Sequence, residues 1–292
     1  MLMKRLWIFI LAASLILSGC GALAPTAAPA ESSATLTSVP ATAVPAALPT
    51  ATPEPRTLTV FGAASLKDAF TEIGKNFEAA HPGVSVAFNF AGSQTLSTQL
   101  TQGAAADVFA SANHTEMDKI VAANLTPKDA PKNFLTNKLL VILPKDNPAN
   151  VQTLQDLARP GLKLVLADAT VPAGKYARQI LDNMSKDATF GSDFSTKVLA
   201  NVVSNETDVK QVVAKVQLGE ADAGIAYISD AVAAPELKTI DIPDNFNVIA
   251  KYPISALVKT PNADLAAAFV AYVQSADGQA VMKKWGFSPV GQ

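Results

Sequence analysis

Residues 60–66 (VFGAASL) predict a β-strand that runs directly into a helix beginning with small residues. The same order recurs at 90–95 (FAGSQT), 169–174 (ATVPAG) and 205–209 (NETDV). Strands that alternate with helices in this way indicate βαβ units, and hence an α/β fold with mostly parallel sheets. The first N–H groups of a helix have no partner within it and together bear a partial positive charge. Several such helix ends meeting at one point could hold an anion without any cationic side chain.

The folded part of the chain begins near residue 57 and is expected to form two lobes. Lobe I comprises residues 57–137 and 251–292, and lobe II comprises residues 138–250. The apolar strands at 138–143 and 253–258 are the predicted crossings between the lobes. Two crossing strands make a natural hinge, and ligands of such folds bind in the crevice at the carboxyl ends of the strands.

Helical periodicity is clearest near the two ends of the folded region. Phe70, Ile73 and Phe77 recur on one face of a helix predicted to start at residue 68. A single long helix is expected at 264–285, with Gly286 as its C-terminal glycine.

The N-terminal residues 1–19 have the features of a secretory signal. Lys4 and Arg5 precede an apolar run at 6–18, which is shorter than the roughly 20 residues that a membrane span needs. The signal ends in Leu-Ser-Gly before Cys20, the only cysteine of the chain. This ending resembles the lipobox of bacterial lipoproteins, which implies that Cys20 carries a lipid. The alternative is an ordinary signal peptide that contains a cysteine.

Residues 20–56 are rich in Ala, Thr, Ser and Pro. Such a composition cannot bury enough apolar surface to fold, and its prolines favour an extended backbone. We therefore expect a disordered tether between the lipid on Cys20 and the folded domain.

Composition and motifs disfavour several classes of protein. The chain has 23 basic and 25 acidic residues and no basic cluster, so nucleic acid is not an expected partner. It contains no nucleotide-binding loop and no G-x-S-x-G turn. Its two histidines, His81 and His114, have no carboxylate or metal-ligand partner at a recognisable spacing. An enzyme is therefore not expected, and a hydrolase that uses Ser65 remains only as an alternative.

Two serines occupy equivalent places in successive βα units. Ser65 is predicted as a helix N-cap, with Asp68 three residues later as in a capping box. Ser93 has the same place after the next strand, and Gly92 would let the backbone approach closely. Simple helix capping is the alternative for each serine, and the repetition favours a binding role.

Three further groups could add donors to the same point. Ala173 follows a proline suited to a first helical turn, and the N–H of Val209 follows Asp208, a predicted N-cap. Tyr227 ends an apolar strand, where its phenol could donate a hydrogen bond or its ring could pack in the core.

Several segments together are similar to the molybdate-binding proteins of bacterial ABC transporters. The matching segments cover nearly all of residues 57–292 in the family's order, and they are 61–66 (FGAASL), 92–96 (GSQTL), 106–112 (ADVFASA), 171–177 (VPAGKYA), 224–231 (GIAYISDA) and the pair Tyr252-Pro253. The resemblance implies a type II periplasmic-binding-protein fold whose two lobes close on molybdate or tungstate. It implies no cofactor, and no metal except within the oxyanion.

The resemblance also implies the site residues and partners. The oxyanion ligands fall on Ser65, Ser93, Ala173, Val209 and Tyr227, with the N–H groups of Ala64 and Ser93 as further donors. The partners would be an ABC permease and its ATPase, and the protein would be a monomer anchored through Cys20 outside the cytoplasmic membrane.

Four functions remain to be compared. Neutral O–H and N–H donors suit a fully deprotonated dianion, so a molybdate or tungstate receptor is the leading hypothesis. Sulfate has the same charge and shape, and only the cavity radius would exclude it. The remaining alternatives are the Ser65 hydrolase and an adhesion or scaffold lipoprotein without a ligand.

Overall fold

The computed structural model describes residues 54–290. In this part of the chain the strands are β1 (Arg56–Ala63), β2 (Val84–Ala91), β3 (Val108–Ala110), β4 (Lys132–Asn137), β5 (Leu139–Leu143), β6 (Leu164–Ala167), β7 (Val202–Glu206), β8 (Ala223–Tyr227), β9 (Lys238–Asp241) and β10 (Ala250–Ala256). The α-helices are α1 (Lys67–Ala80), α2 (Ser93–Thr101), α3 (His114–Ala122), α4 (Pro172–Met184), α5 (Phe194–Ala200), α6 (Val209–Gln217), α7 (Ile228–Val232), α8 (Ala263–Gln274) and α9 (Ala276–Lys284). Two 3-10 turns, Ala64–Leu66 and Leu154–Ala158, complete the order.

The strands form two five-stranded sheets with the same pattern. The first has the order β2-β1-β3-β10-β4, and the second has the order β7-β6-β8-β5-β9. In the first sheet β10 runs antiparallel to both neighbours, and in the second β5 does. The other neighbouring pairs are parallel. Four strands of each sheet therefore share one direction, which confirms the predicted α/β class.

The chain passes between the two sheets twice. It leaves the first sheet at the end of β4, enters the second with β5, and returns to the first with β10. The predicted crossings at 138–143 and 253–258 thus overlap the single reversed strand of each sheet. Below, the first half is the first sheet with α1, α2, α3, α8 and α9, and the second half is the second sheet with α4 to α7.

Helix α1 packs its predicted apolar face on the first sheet. Phe70, Ile73 and Phe77 have no exposed surface. The ring of Phe269 on α8 lies 5.9 Å from Phe70 and 5.3 Å from Phe77, both edge to face. Aromatic pairs at this distance and angle add about 0.5–1.5 kcal/mol beyond the area they bury. The aromatic cluster therefore fixes α1, and with it the turn that precedes α1.

The predicted helix at 264–285 is wrong in one respect, because it is two helices. The break is at Ser275, which has an extended backbone and whose side chain accepts from Gly278 N at 3.2 Å. A Cβ on Gly278 would lie 2.2 Å from the Tyr272 carbonyl oxygen, so only glycine permits this tight turn. Gly286 follows α9 with a φ of 82°, as predicted for a C-terminal glycine.

The predicted signal, the lipidation site Cys20 and nearly all of the tether fall outside the described residues. Among residues 54–290 there is no helix long and apolar enough to cross a membrane.

Candidate anion-binding site

A small cavity lies between the two halves. All five residues predicted as ligands line it, although they come from five different βα connections. The complete lining is Ala63, Ala64, Ser65, Gly92, Ser93, Ala112, Val171, Pro172, Ala173, Asp208, Val209 and Tyr227. The space in the cavity that is open to the centre of a water-sized sphere is about 10 Å³, far less than the roughly 300–1,000 Å³ of sites for drug-sized molecules. Its size suits an inorganic ion.

Ser65 reaches the cavity from the 3-10 turn between β1 and α1. Its predicted role as an N-cap is wrong, since the side chain makes no capping hydrogen bond to either helical segment. Instead Ser65 Oγ lies 2.9 Å from the hydroxyl of Tyr252, on β10. The capping box with Asp68 is wrong as well, because the Asp68 carboxylate pairs with Lys210. A long-range partner has replaced the local one, which leaves Ser65 facing the cavity.

Ser93 is the first residue of α2, and Gly92 rather than Ser93 is the N-cap. The Gly92 carbonyl accepts from the N–H groups of Thr95 and Leu96. Ser93 Oγ accepts a hydrogen bond from Ala112 N at 3.0 Å. Because that bond uses a lone pair, the Ser93 hydroxyl proton stays available to donate.

Ala173 is presented by the first turn of α4. Pro172 occupies the first helical position, as predicted, where its missing N–H costs nothing. At the third position, a Cβ on Gly174 would lie 2.1 Å from the Asp168 carbonyl oxygen. The helix therefore starts pressed against the end of β6, with the Ala173 N–H among its unpaired first donors.

Val209 is the first residue of α6, and Asp208 caps this helix as predicted. The Asp208 carboxylate accepts from Gln211 N at 3.1 Å. This bond satisfies one donor of the first turn and leaves the Val209 N–H beside the cavity.

Tyr227 ends β8 and has only 1% of its surface exposed. Its hydroxyl is fully buried, yet it has no hydrogen-bond partner among the described residues. Burial holds the pKa of Tyr227 well above its usual value, so the phenol remains a donor. An unsatisfied buried hydroxyl costs about 1–3 kcal/mol, and buried polar groups in proteins nearly always have partners. An acceptor placed in the cavity would satisfy it.

The donors that line the cavity are all neutral. Lys210, in the first turn of α6, is not a lining residue, and its ammonium is engaged by two carboxylates. It lies 2.6 Å from Asp68 in the first half and 3.1 Å from Asp230 in the second. Burial by itself lowers the pKa of Lys210, but Asp230 and Asp68 outweigh it and the pKa is raised. The ammonium therefore stays charged, and an anion in the cavity would meet dipoles and hydroxyls.

Further contacts join the halves around the cavity. Gln94 Nε2, on α2, donates to the Thr207 carbonyl at 2.9 Å, just before α6. A Cβ on Gly92 would lie 2.6 Å from the same carbonyl oxygen, so glycine permits the close approach of the backbone at Thr207. These contacts between the two halves close the cavity on the side of α2 and α6.

The lining offers donors but no catalytic base. Neither His81 nor His114 lines the cavity. No group of three or more His, Cys, Asp or Glu residues within 54–290 could hold a metal ion. Asp208 is the one carboxylate in the lining, and both of its oxygens accept hydrogen bonds from Gln211. The arrangement can hold an ion that only accepts hydrogen bonds.

A wider hollow in the first half lacks these features. It lies beside Asp107, whose carboxylate accepts from Thr59 N at 2.6 Å and from Asn262 Nδ2 at 3.3 Å. Those hydrogen bonds tie β1, β3 and the start of α8 together. Asp107 therefore has a structural role there.

Tyr252, the Ala112 N–H and Lys210 were not predicted as functional groups from the sequence. Tyr252 had appeared only within the pair Tyr252-Pro253. A proline inside an apolar strand is typical of a bulge, and a bulge re-aims the neighbouring side chain. The proline after Tyr252 could therefore have indicated this residue from the sequence. No local feature indicates the partner of Ala112 or of Lys210.

Two sheets with a small cavity between them are the architecture of a solute-binding protein. Residues 58–288 match the family of bacterial extracellular solute-binding proteins, and the chain belongs to this family.

Within this family the chain is similar to named molybdate-binding proteins. The molybdate-binding protein ModA of Mycobacterium tuberculosis H37Rv is 42% identical over 80% of this chain and 85% of its own. ModA of Escherichia coli K12 is 32% identical over 79% of this chain and 88% of its own. A Bacillus subtilis protein described as an ABC transporter substrate-binding lipoprotein, YvgL, is 31% identical over 80% and 86%. These similarities place the chain in the molybdate-binding group.

Solved structures agree on the fold. The substrate-binding domain assigned to a molybdenum ABC transporter of Clostridium difficile superposes with a TM-score of 0.61 at 30% identity, covering 80% of this chain and 99% of that chain. The Azotobacter vinelandii periplasmic molybdate-binding protein gives 0.68 at 17% identity, covering 79% and 98%. The sulfate-binding protein SubI of Mycobacterium tuberculosis gives 0.73 at 18% identity, covering 81% and 88%.

Proposed function

We propose that this protein captures molybdate, and with it tungstate, outside the cytoplasmic membrane and delivers the ion to an ABC permease and its ATPase. The observation that carries the proposal is the small cavity in which two serines and the first turns of two helices meet the buried Tyr227 hydroxyl, which has no hydrogen-bond partner among residues 54–290. The names of the relatives in Mycobacterium tuberculosis and Escherichia coli support the choice of ion.

The proposed ligand groups are Ser65, Ser93, Ala173, Val209 and Tyr227. The two serines belong to the first half and the other three residues to the second. An ion bound to both sets would hold the halves together. Hydrogen bonds to a charged group contribute about 1.5–3 kcal/mol each, so five or more such bonds can offset the cost of removing water from a dianion.

Sulfate is the alternative ligand, because the sulfate-binding protein SubI has a similar fold. Sulfate carries the same charge on a smaller tetrahedron, so a rigid cavity sized for the longer Mo–O bond would leave its oxygens with stretched contacts. We therefore expect discrimination by cavity radius.

Titration calorimetry of the purified domain with molybdate, tungstate, sulfate and phosphate tests the ligand. We expect submicromolar affinity for molybdate and tungstate and no competition from millimolar sulfate. Native mass spectrometry should show one bound MoO₄ or WO₄ per chain, which also tests the proposed monomer. Equal affinity for sulfate would remove the size argument, and no binding of any oxyanion would overturn the proposal.

Anchoring through a lipid on Cys20 is a separate proposal. It rests on the lipobox-like residues before Cys20, on the Ala/Thr/Pro-rich segment at 20–56, and on the description of the similar Bacillus subtilis protein as a lipoprotein. Cys20→Ala should release the protein from membranes without changing its affinity for the ion. Retention of the variant in the membrane fraction would contradict the proposal.

A further inference from the structure

Each serine of the cavity has a second polar group behind it. Ser93 Oγ accepts from Ala112 N at 3.0 Å, and Ser65 Oγ lies 2.9 Å from Tyr252 Oη. For Ser93 the direction is fixed, because an N–H can only donate. For Ser65 both partners are hydroxyls, so the direction follows from their surroundings.

The surroundings make Tyr252 the donor. Tyr252 is fully buried, and Ser65 Oγ lies 2.9 Å from its hydroxyl, with the Tyr227 hydroxyl and the Asn137 amide also beside it. The Asn137 amide nitrogen can only donate, so it offers the phenol proton no acceptor. A buried phenol proton without an acceptor would be costly, whereas the Ser65 proton can turn to the cavity. Burial also raises the pKa of Tyr252, so the phenol keeps its proton.

The backbone of β10 holds Tyr252 in this position. β10 lies between β3 and β4, and its pairing with β4 shifts register between Tyr252 and Pro253. Proline has no N–H for the ladder, which is why it sits at a bulge in an inner strand. The Tyr252 ring then packs edge to face on Tyr227 at 5.9 Å and on Phe287 at 5.8 Å. Its hydroxyl has little freedom to leave Ser65.

We propose that Tyr252 is a positioning residue that holds the Ser65 hydroxyl as a hydrogen-bond donor, and thereby makes the cavity select oxyanions that carry no proton. The inference rests on the proposed function. With one lone pair of Ser65 occupied by Tyr252, the serine proton points to the ion. Without the phenol, Ser65 can rotate and turn a lone pair to the cavity, which suits an anion that has a proton to donate.

A double-mutant cycle with Tyr252→Phe and Ser65→Ala tests the proposal. Phenylalanine keeps the ring contacts and removes only the hydroxyl. Titration calorimetry at neutral pH should show molybdate binding about 3- to 10-fold weaker in Tyr252→Phe. The preference for molybdate over phosphate, which keeps a proton at this pH, should fall. In the Ser65→Ala background the same change should have no further effect.

Tyr272→Phe is the matched control, since Tyr272 lies on α8 and packs against Phe77, away from the cavity. It should change neither affinity nor preference. Equal losses from Tyr252→Phe with and without Ser65 would overturn the proposal, because they would indicate packing alone. An unchanged preference for molybdate over phosphate in Tyr252→Phe would also overturn the proposal. If the wild-type protein binds sulfate and not molybdate, the proposed function fails, while the same cycle run with sulfate still decides the role of Tyr252.

Discussion

Among the proposed ligand groups, the hydroxyl of Tyr227 is the clearest case of a polar group whose burial costs the fold stability. It is buried without a partner in the described part of the chain, so the unliganded protein bears its desolvation cost. Ser65 and Ser93 differ, because each already has a polar partner behind it. Removing the Tyr227 hydroxyl should therefore affect the free energy of unfolding differently from removing the hydroxyl of Ser65 or Ser93.

We expect Tyr227→Phe to weaken binding and stabilise the unliganded protein. Losing one donor to a buried charge should cost about 1–3 kcal/mol of binding free energy. Without its unpaired hydroxyl, the free energy of unfolding in the absence of ions should rise by about 1 kcal/mol. Calorimetry and chemical denaturation measure the two quantities. Weaker binding together with lower stability would contradict this account, since that result is typical of a disturbed core.

Binding should not depend on pH between about pH 7 and pH 10. An ordinary tyrosine loses its proton near pH 10, and burial moves the pKa of Tyr227 upward. A raised pKa keeps the phenol neutral, and therefore a donor, over the whole interval. The raised pKa of Lys210 likewise keeps its ammonium charged. A fall in molybdate affinity toward pH 10 that is absent in Tyr227→Phe would show that the phenol ionises and would contradict the prediction.

At the scale of elements, the proposed site is built from the starts of helices. The small residues after β1, β2 and β6 had predicted such starts, and Pro172 and Asp208 have their predicted positions in α4 and α6. The break at Ser275 was missed because apolar and polar residues keep a helical period across it. The tight packing at Gly278 that causes the break depends on the backbone of α8, which periodicity does not describe.

Gly174→Ala should damage both binding and stability. The added Cβ would meet the Asp168 and Ala167 carbonyl oxygens at 2.1 and 2.2 Å. Backbone atoms cannot move aside cheaply, so the start of α4 would shift and carry the Ala173 N–H away from the ion. We expect at least a tenfold loss of affinity and a lower thermal midpoint. Lys175→Ala, at the next and exposed position of the same helix, is the control that should change neither.

At the scale of the whole molecule, contacts outside the cavity join the two halves. Lys210 bridges Asp68 and Asp230, and Gln94 donates to Thr207. If the halves close on the ion, as the proposed function requires, such contacts favour the closed arrangement for every ligand alike. A shift in a closing equilibrium changes all affinities by the same factor.

Lys210→Met should therefore weaken molybdate and tungstate binding equally, by roughly 1–2 kcal/mol, without changing their ratio. Lys215→Met is the matched control. It removes the same charge from the same helix, but its partner Glu206 belongs to the second half. Titration calorimetry of both variants with molybdate and with tungstate measures these affinities. An equal loss in the control would show that Lys210 acts by its charge, and a changed ratio would show that it acts on the cavity itself. Either result would contradict a role in joining the halves.

Local pattern by itself determined the α/β class and predicted the helix starts, and the resemblance to molybdate-binding proteins added the five proposed ligand positions. It could do so because strand–helix alternation, caps and small first-turn residues are short-range features. The tertiary structure alone decided that Ser65 bonds to Tyr252, that Ala112 supports Ser93 and that Lys210 links the halves. These partners come from strands and loops far apart in the chain. Only the packing of the two sheets brings them within hydrogen-bonding distance, because no local rule encodes which distant group a buried hydroxyl or ammonium will meet.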